Sequence, residues 1–289
     1  MRPTPLPLLR RGFLFALAAM LLAGGCVNRP QAPILEQPAG HAAAANAVAG
    51  RLDALLPADV LLLGEQHDAA EHQQIQQQVM AILAARGLLA AVALEMADAG
   101  VSTATLQPGA SEAQVRRALA WNDTVWPWQA YGPAVMTAVR AGVPVLGANL
   151  PRERMQASMA DRQLDGQLRG PALKAQQQLI RTGHCNLLPE GQVTPMTRIQ
   201  IARDISLADT LQQAVLPGKV VVLLAGSGHA DRQLGVPQHL PADLNTKAVR
   251  LRAGQGADSD KAQAFDAVWP TPAVPVTDYC AGLKARLAR

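Results

Sequence analysis

The sequence predicts an α/β fold: a central, mostly parallel sheet flanked by helices, with an all-α helical insert. Three observations predict it. Short, continuous apolar runs recur along the chain, which is typical of strands buried on both faces. Helical segments separate these runs, so neighbouring strands are expected to be parallel and joined by right-handed crossovers. A strand-free stretch over residues 151–215 is too long for a simple crossover and is therefore the predicted insert.

Each predicted strand ends at or near a glycine or a polar residue. The predicted strands cover residues 60–63, 91–94, 143–148 and 220–225, with residues 248–252 as a candidate fifth. Helices are predicted from Asp68, where Glu71 completes a capping pattern, and near residues 111–120 and 132–141. Residues 51–150 and 216–289 are thus assigned to one α/β domain that is interrupted by the insert.

The first 25 residues are typical of a secretory signal peptide. Three arginines precede an apolar run that is too short to span a bilayer, and small residues lead to Cys26. This arrangement resembles a bacterial lipobox, so Cys26 is the predicted lipidation site and ordinary cleavage is the alternative. Residues 26–50 are rich in Ala, Pro, Gln and Gly and are predicted to form a flexible tether. The expected location is the bacterial cell envelope, lipid-anchored at the outer membrane, because Val27 is not the aspartate that commonly signals inner-membrane retention.

The charge balance gives no case for nucleic-acid binding. The whole chain has 26 Lys and Arg against 22 Asp and Glu. The predicted signal peptide carries three of those arginines and no acid, so removing it leaves a net charge of about +1. After Cys26, two cysteines remain, Cys185 and Cys280. Because an oxidising compartment permits a disulfide, we predict this pair to be bridged, with two free thiols as the alternative.

Two G-x-x-H motifs follow apolar runs, and they carry the chemistry that the sequence suggests. One ends at His67 and the other at His229, and Glu65 and Glu95 also follow strand ends. Because ligands of parallel sheets bind beyond the carboxyl ends of the strands, these four residues are expected to converge as a catalytic site. Glu65, His67 and His229 are also candidate ligands of a divalent metal ion, since neutral imidazole and carboxylate both bind metals.

At this point the sequence resembles the superfamily that joins the Tiki and TraB proteins, the erythromycin esterases and the ChaN haem-binding lipoproteins. Several segments resemble ChaN in particular. They are Tyr131-Gly132-Pro133, Ala148-Asn149-Leu150-Pro151-Arg152, His184-Cys185, Pro195-Met196, Gly226-Ser227-Gly228-His229 and Asp278-Tyr279-Cys280. The resemblance covers roughly residues 55–282.

The resemblance implies a haem-binding protein of iron acquisition, with a haem pocket shared between two subunits of a homodimer. It also implies a tyrosine on the haem iron, with histidine and lysine on the propionates. The insert of this chain contains no Tyr, Phe or Trp. The candidate haem-binding residues are therefore Tyr131, in a tryptophan-rich segment that lines a porphyrin or forms a hinge core, and His184, Lys174 and Met196. Methionine at helical spacing is also typical of a core.

Two functions follow from these expectations. The first is a haem-binding lipoprotein that takes part in haem or iron acquisition and releases haem to a partner such as an outer-membrane haem receptor. The second is a hydrolase, either a peptidase or an esterase, that uses the two G-x-x-H motifs, with a divalent metal ion as a candidate cofactor.

Overall fold

The structure is a computed structural model, and it describes residues 39–254 and 263–287. The predicted signal peptide, Cys26 and the first part of the predicted tether lie outside the described residues. Six parallel strands form one sheet in the order β3-β2-β4-β1-β5-β6. The strands are β1 Val60–Glu65, β2 Leu89–Asp98, β3 Val145–Asn149, β4 Val220–Gly226, β5 Thr246–Ala253 and β6 Ala267–Thr271.

Eight α-helices occur among the described residues, and they cover both faces of the sheet. They are α1 Ala39–Asp53, α2 Ala70–Ala85, α3 Glu112–Ala118, α4 Trp128–Arg140, α5 Arg152–Ala160, α6 Gly170–Gly183, α7 Glu190–Ala214 and α8 Tyr279–Leu287. Helices α5 to α7 lie between β3 and β4, where the sequence predicts the insert. The predicted α/β class, with a parallel sheet and a helical insert, is confirmed.

Alternate residues of each central strand pack into different cores, which explains why these strands are continuously apolar. In β1, Leu61 and Leu63 face the core formed with α2 and α4. Val60 and Leu62 face the opposite core, to which α7 contributes Leu207. Every residue of β1 and β4 is buried. A strand that is buried on both faces cannot show the polar alternation of a surface strand.

The structure differs from the predicted tether at its C-terminal end. Residues 39–50 belong to α1, and this helix continues to Asp53. Val48 is 5% exposed and Leu52 is fully buried, so both are part of the hydrophobic core. An Ala-rich composition is typical of a linker, but alanine is also the residue with the highest helix propensity.

Strand β6 was missed by the sequence analysis, and helix α2 begins later than expected. β6 is an edge strand in which Pro270 interrupts the apolar pattern, although Trp269 is buried against the core. Helix α2 starts at Ala70, and its N-cap residue Ala69 makes no side-chain capping bond. The predicted capping role of Asp68 is therefore wrong, because its carboxylate instead accepts hydrogen bonds from Gln66 and Tyr279.

Of the helices in the described part of the chain, none is long and apolar enough to cross a membrane.

Candidate functional site

The side chains that follow the strand ends do converge on one edge of the sheet. We call Glu65, His67, Glu95, Asp204 and His229 the rim cluster. Three adjacent strands of the sheet supply or directly precede four of its members: Glu65 ends β1, His67 follows β1, Glu95 lies near the end of β2, and His229 follows β4. Asp204 was not predicted, and it comes from α7 of the insert. The cluster is therefore built by both parts of the fold.

Close backbone approach explains the glycines of both G-x-x-H motifs. Gly64 lies within β1 and Gly226 within β4, so neither occupies a turn. A Cβ atom on Gly64 would lie 2.8 Å from the Cβ of Ala230, and one on Gly226 would lie 2.9 Å from Nε2 of His67. Both separations are too short for a side chain, so glycine is needed here for space rather than for turning.

Glu65 is the acceptor at the centre of one half of the rim cluster. Its carboxylate is 2% exposed and accepts hydrogen bonds from the Tyr131 hydroxyl at 2.7 Å, Gln73 Nε2 at 2.9 Å and Gln76 Nε2 at 2.8 Å. The Nδ1 atom of His67 lies 2.7 Å from the same carboxylate. With both oxygens occupied by donors, Glu65 is satisfied without a metal ion.

Glu95 is the acceptor at the centre of the other half of the rim cluster. It is 3% exposed and accepts hydrogen bonds from Arg203 Nη2 at 2.5 Å and from the Gly226 amide at 2.7 Å. His229 lies between two acids, with Nε2 3.3 Å from Glu95 and Nδ1 2.5 Å from Asp204. These contacts make His229 the centre of a buried network of charges.

The pKa directions in this half follow from burial and charge together. Burial lowers the pKa of His229, but the carboxylates of Glu95 and Asp204 outweigh that effect and raise it to about 9. Burial raises the pKa of Glu95, but the charges of His229 and Arg203 lower it below its ordinary value. The pKa of Asp204 is raised, because burial outweighs the nearby positive charge. At neutral pH, His229 is thus a cation that faces the Glu95 carboxylate.

His67 is the member of the rim cluster that faces solvent. Its side chain is 41% exposed, and its Nε2 atom lies 3.9 Å from Glu95. Burial lowers the pKa of His67, but the hydrogen bond to Glu65 and the charge of Glu95 raise it overall. The ring also meets the edge of Trp126, with the centroids 4.9 Å apart. His72, by contrast, is fully buried and bonds the Gln66 amide and Thr271, so it is structural.

The predicted metal site is not supported. Among the described residues there is no group of three or more His, Cys, Asp or Glu side chains arranged to hold a metal ion. The donor atoms of the proposed ligands Glu65 and His229 are already engaged in the hydrogen bonds and ion pairs above. Glu65, His67 and His229 therefore meet as a hydrogen-bonded cluster and not as a coordination shell.

Tyr131 was predicted to bind a cofactor, and the structure places it elsewhere. It is 1% exposed in the core beside Trp126, and its hydroxyl is committed to Glu65. Burial, together with the charge of Glu65, raises the pKa of this phenol far above its ordinary value. Tyr131 is thus part of the hydrophobic core, against which Trp121 and Trp126 also pack, and it does not line an open surface.

An open cleft lies between α6 and the carboxyl ends of β4 and β5. We call it the α6 cleft. Its volume is about 290 Å³, and its walls include Leu179, Ile180 and Phe265 together with Gln200, Ser227 and Arg250. Gln200 also reaches the His229 ring at 3.2 Å. The cleft therefore combines an apolar surface with a contact to the rim cluster.

The remaining predicted haem-binding residues differ in their position relative to the α6 cleft. His184 caps the C-terminus of α6 one turn after Ile180, and Met196 lies one turn before Gln200 on the same side of α7. Both side chains are half-buried. Lys174 is exposed about 160° around α6 from Gln176, which also lines the cleft. Lys174 therefore faces away from the cleft, and its role on a propionate stays a prediction.

The structure contains the Cys185–Cys280 disulfide that the sequence predicted. The bridge joins the turn after α6 to the first residues of α8 and spans 95 positions of the chain. It therefore ties the insert to the C-terminal segment.

Four residues of the site were missed or misassigned from the sequence. Gln73 and Gln76 lie one turn apart on α2 and were not considered, although their shared face points at Glu65. Arg203 and Asp204 are adjacent on α7 and oppositely charged, but they do not serve as a pair. Instead they contact Glu95 and His229 separately, because adjacent residues of a helix point in different directions.

Fold and site together define an α/β protein with a buried rim cluster and a helical insert over its strand ends. The chain belongs to the haem-binding uptake family of the Tiki superfamily, with ChaN, which it matches over residues 51–240. The family resemblance predicted from the sequence is thus confirmed. No functionally curated protein matches the chain.

Three solved structures resemble the fold. A structure of ChaN of Campylobacter jejuni with cofacially bound haem is 25% identical, with a TM-score of 0.60 over 72% of this chain and 87% of that one. A protein from Bacillus cereus is 13% identical, with a TM-score of 0.44 over 81% and 75% of the two chains. A MARTX toxin effector domain from Vibrio vulnificus is 14% identical, with a TM-score of 0.38 over 77% and 39%.

Proposed function

We propose that this protein binds haem in the α6 cleft and takes part in haem or iron acquisition at the cell envelope. The observation that carries the proposal is an open, partly apolar cleft beside the insert of a chain that belongs to a haem-binding uptake family. Leu179, Ile180 and Phe265 offer the apolar contacts that a flat macrocycle requires. Arg250 adds a positive charge near the Phe265 ring, which suits a propionate.

Two cavities of the structure differ in what they offer to haem. A larger apolar cavity of about 550 Å³ lies at the amino ends of the strands, between Leu56, Leu88 and Val220. None of the described residues that line it is a His, Met, Cys or Tyr, so it offers no iron ligand. The α6 cleft has such side chains at its borders, His184 and Met196. A bound haem would supply its iron for coordination there.

The size of the α6 cleft supports a shared haem site. At about 290 Å³ it lies at the lower limit of ligand pockets, which run from roughly 300 to 1,000 Å³. A haem held there leaves one face uncovered, and a second subunit with its own haem is a suitable cover. We therefore propose a homodimer. The cofacial haem described for the Campylobacter jejuni relative motivates this arrangement.

The proposed cellular setting rests on the N-terminal sequence. A lipid on Cys26 would hold the domain at the outer membrane and raise its local concentration near a haem receptor there. Mass spectrometry of the N-terminal peptide of the native protein tests this part alone. A mature N-terminus at Cys26 with a diacylglycerol mass is expected, and an unmodified terminus would contradict the anchor while leaving haem binding intact.

Titration of the purified full chain with ferric haem tests the main proposal. We expect a saturable change in the haem absorption spectrum at about one haem per chain, and a haem-dependent dimer in sedimentation experiments. Failure of the folded wild-type protein to bind haem would contradict the proposal.

A hydrolase is the second candidate function, favoured by the geometry of His67. Glu65 holds the Nδ1–H of His67, so the lone pair of Nε2 points to the half-exposed side of the ring. The separation of 3.9 Å between Nε2 and Glu95 is too long for a hydrogen bond, but it lets both groups contact one water molecule. His67 would take a proton from that water as it attacks an ester or peptide carbonyl.

Hydrolysis of small ester and peptide substrates by the wild-type protein and by His67→Ala tests this candidate. We expect turnover to fall by about 10²-fold or more in the variant if His67 is the base. His184→Ala is the matched control, because His184 caps the C-terminus of α6 and is not part of the rim cluster. Equal rates in the wild type, the variant and the control would rule out the hydrolytic role.

A further inference from the structure

The turn that ends α6 has a cysteine at the position where helices most often have glycine. His184 is the C-cap residue of this helix. The amide of Asn186 donates a hydrogen bond to the carbonyl of Arg181 at 2.8 Å. The amide of Cys185 donates one to the carbonyl of Thr182 at 2.9 Å. These two bonds form a Schellman motif, in which the residue after the C-cap is usually glycine, and here that residue is Cys185.

The backbone of this turn is unfavourable for a residue with a side chain. The φ angle is +60° at Cys185 and +56° at Asn186, so both residues are left-handed. Asparagine visits this conformation routinely, whereas the Cβ atom of most other residues comes too close to the following carbonyl oxygen. Such a backbone persists only where the surrounding structure holds it. At Cys185 the disulfide bond to Cys280 supplies that hold.

The same turn ends the helix that forms the apolar wall of the α6 cleft. Leu179 and Ile180 line the cleft from the last turns of α6. The Nδ1 atom of His184, next to Cys185, lies 2.7 Å from the carbonyl oxygen of Ile180. We propose that the Cys185–Cys280 disulfide is a redox-controlled clamp on this wall, and that its reduction lowers the affinity of the cleft for its ligand. The ligand in this proposal is the haem of the proposed function.

The other end of the clamp is attached to the sheet. Cys280 lies in the first turn of α8, which follows β6, and β6 pairs with β5. The neighbouring Tyr279 donates a hydrogen bond from its hydroxyl to Asp68, in the loop after β1. Helix α6 itself packs on α7, which is also part of the insert. The bridge therefore adds a covalent connection between the wall of the cleft and the sheet domain.

Opening the clamp requires a dithiol reductant. One thiolate of the dithiol attacks a sulfur of the bridge and forms a mixed disulfide, which the second thiolate resolves. The S–S bond breaks, two electrons and two protons pass to the cysteine sulfurs, and the reductant leaves as a disulfide. Cys185 and Cys280 are half-buried, and their neighbours Asn186 and Tyr279 are exposed, so a reductant has access to the bridge. The left-handed turn then loses its hold, and the end of α6 loosens.

Hydrogen exchange of the full chain without haem tests the clamp directly. We expect the amides of residues 177–183 to exchange about tenfold faster or more once a dithiol has opened the bridge. The amides of α4 should keep their rates, because α4 packs on the opposite face of the sheet from α7. Equal rates for residues 177–183 in the oxidised and reduced protein would overturn the proposal.

Haem titrations of two double variants test the effect on the cleft without a reductant, which would also act on the haem iron. Cys185→Ala/Cys280→Ser removes the bridge but keeps a Cβ atom in the left-handed turn, and we expect haem affinity to fall by about tenfold. Cys185→Gly/Cys280→Ser also removes the bridge but relieves the turn, so part of the affinity should return. The control Val276→Ala, at a fully exposed position before α8, should match the wild type.

The possible results separate the clamp from the proposed function. Wild-type haem affinity in Cys185→Ala/Cys280→Ser would overturn control of the cleft by the bridge. Equal, lowered affinities in the two double variants would overturn the part that the left-handed turn plays. A wild-type protein that binds no haem would contradict the proposed function, and the exchange rates of residues 177–183 would still decide whether the clamp exists.

Discussion

The rim cluster and the α6 cleft lie side by side, yet they are built in opposite ways. In the rim cluster, Glu65, Glu95 and Asp204 are almost completely buried, and each contacts a donor or a cation. The α6 cleft is open, and its walls carry the partly exposed Leu179. The charged motif residues thus form a buried network, whereas the surface suited to a large ligand takes only Ser227 and Gly228 from the two G-x-x-H motifs.

This difference separates what the cluster does for the fold from what the cleft does for a ligand. A buried charge that is fully paired is costly to disturb, because its partner is left without compensation. An apolar surface that remains exposed in the folded chain is available to a partner or ligand. We therefore expect substitutions in the rim cluster to act mainly on stability, and substitutions in the cleft to act mainly on haem affinity.

The largest effect is expected from Glu95→Gln. The substitution removes the anion that faces His229 and Arg203, and a broken buried ion pair costs about 3–5 kcal/mol. Chemical denaturation of the variant should show this loss in the free energy of unfolding. Glu190→Gln, in the exposed ion pair with Arg181, is the control and should change stability little. Equal stabilities of both variants would contradict the buried network.

The pH dependence of stability should reveal the charge on His229. Its pKa is raised to about 9 in the folded state from 6.5, so its contribution is complete below pH 6.5 and is lost as the pH rises through about 9. The free energy of unfolding should therefore fall by up to roughly 3 kcal/mol over that range. In His229→Gln this alkaline decrease should be absent. A wild-type stability that is flat between pH 6.5 and 9.5 would show that His229 is neutral.

The strand pattern predicted the rim cluster because strand ends have a fixed geometry. Residues that follow parallel strands must meet at one edge of the sheet, so Glu65, Glu95 and His229 could be grouped from apolar runs and glycines alone. The same reasoning could not find Asp204, because its approach depends on how α7 packs over the edge. It also could not tell a metal shell from a hydrogen-bonded cluster, since that depends on the donors that surround each carboxylate.

The α6 cleft could hardly be predicted from the sequence. Its walls come from α6, α7, β4 and β5, which are brought together by tertiary packing. The two tyrosines show the limit most clearly. The aromatic neighbours of Tyr131 suggest a ligand surface, but the side chain of Tyr131 lies in the core, whereas Tyr279, in a segment with no aromatic neighbours, is exposed. The burial of a single side chain cannot be predicted from the residues next to it in the sequence.

Tyr131→Phe should have an intermediate effect, confined to stability. The substitution removes one hydrogen bond to the buried Glu65 carboxylate, and such a bond to a charged group contributes about 1.5–3 kcal/mol. Denaturation should show a loss of this size, whereas haem titration should show the wild-type spectrum. A changed haem spectrum in this variant would return Tyr131 to the ligand site and contradict the separation of the two regions.

The smallest effect, in free energy, is expected in the α6 cleft and should appear only when haem is added. Leu179→Glu places a charge on the apolar wall, and we expect haem affinity to fall by about tenfold, or about 1.4 kcal/mol. Leu216→Glu is the matched control, because Leu216 is also a partly exposed leucine, 49% against 38%, but precedes β4 at the opposite edge of the sheet. Both variants should unfold like the wild type, since neither leucine is part of the buried core. Equal haem affinity in the two variants would place the haem outside the cleft, and the rim cluster would then have to be considered again as part of the ligand site.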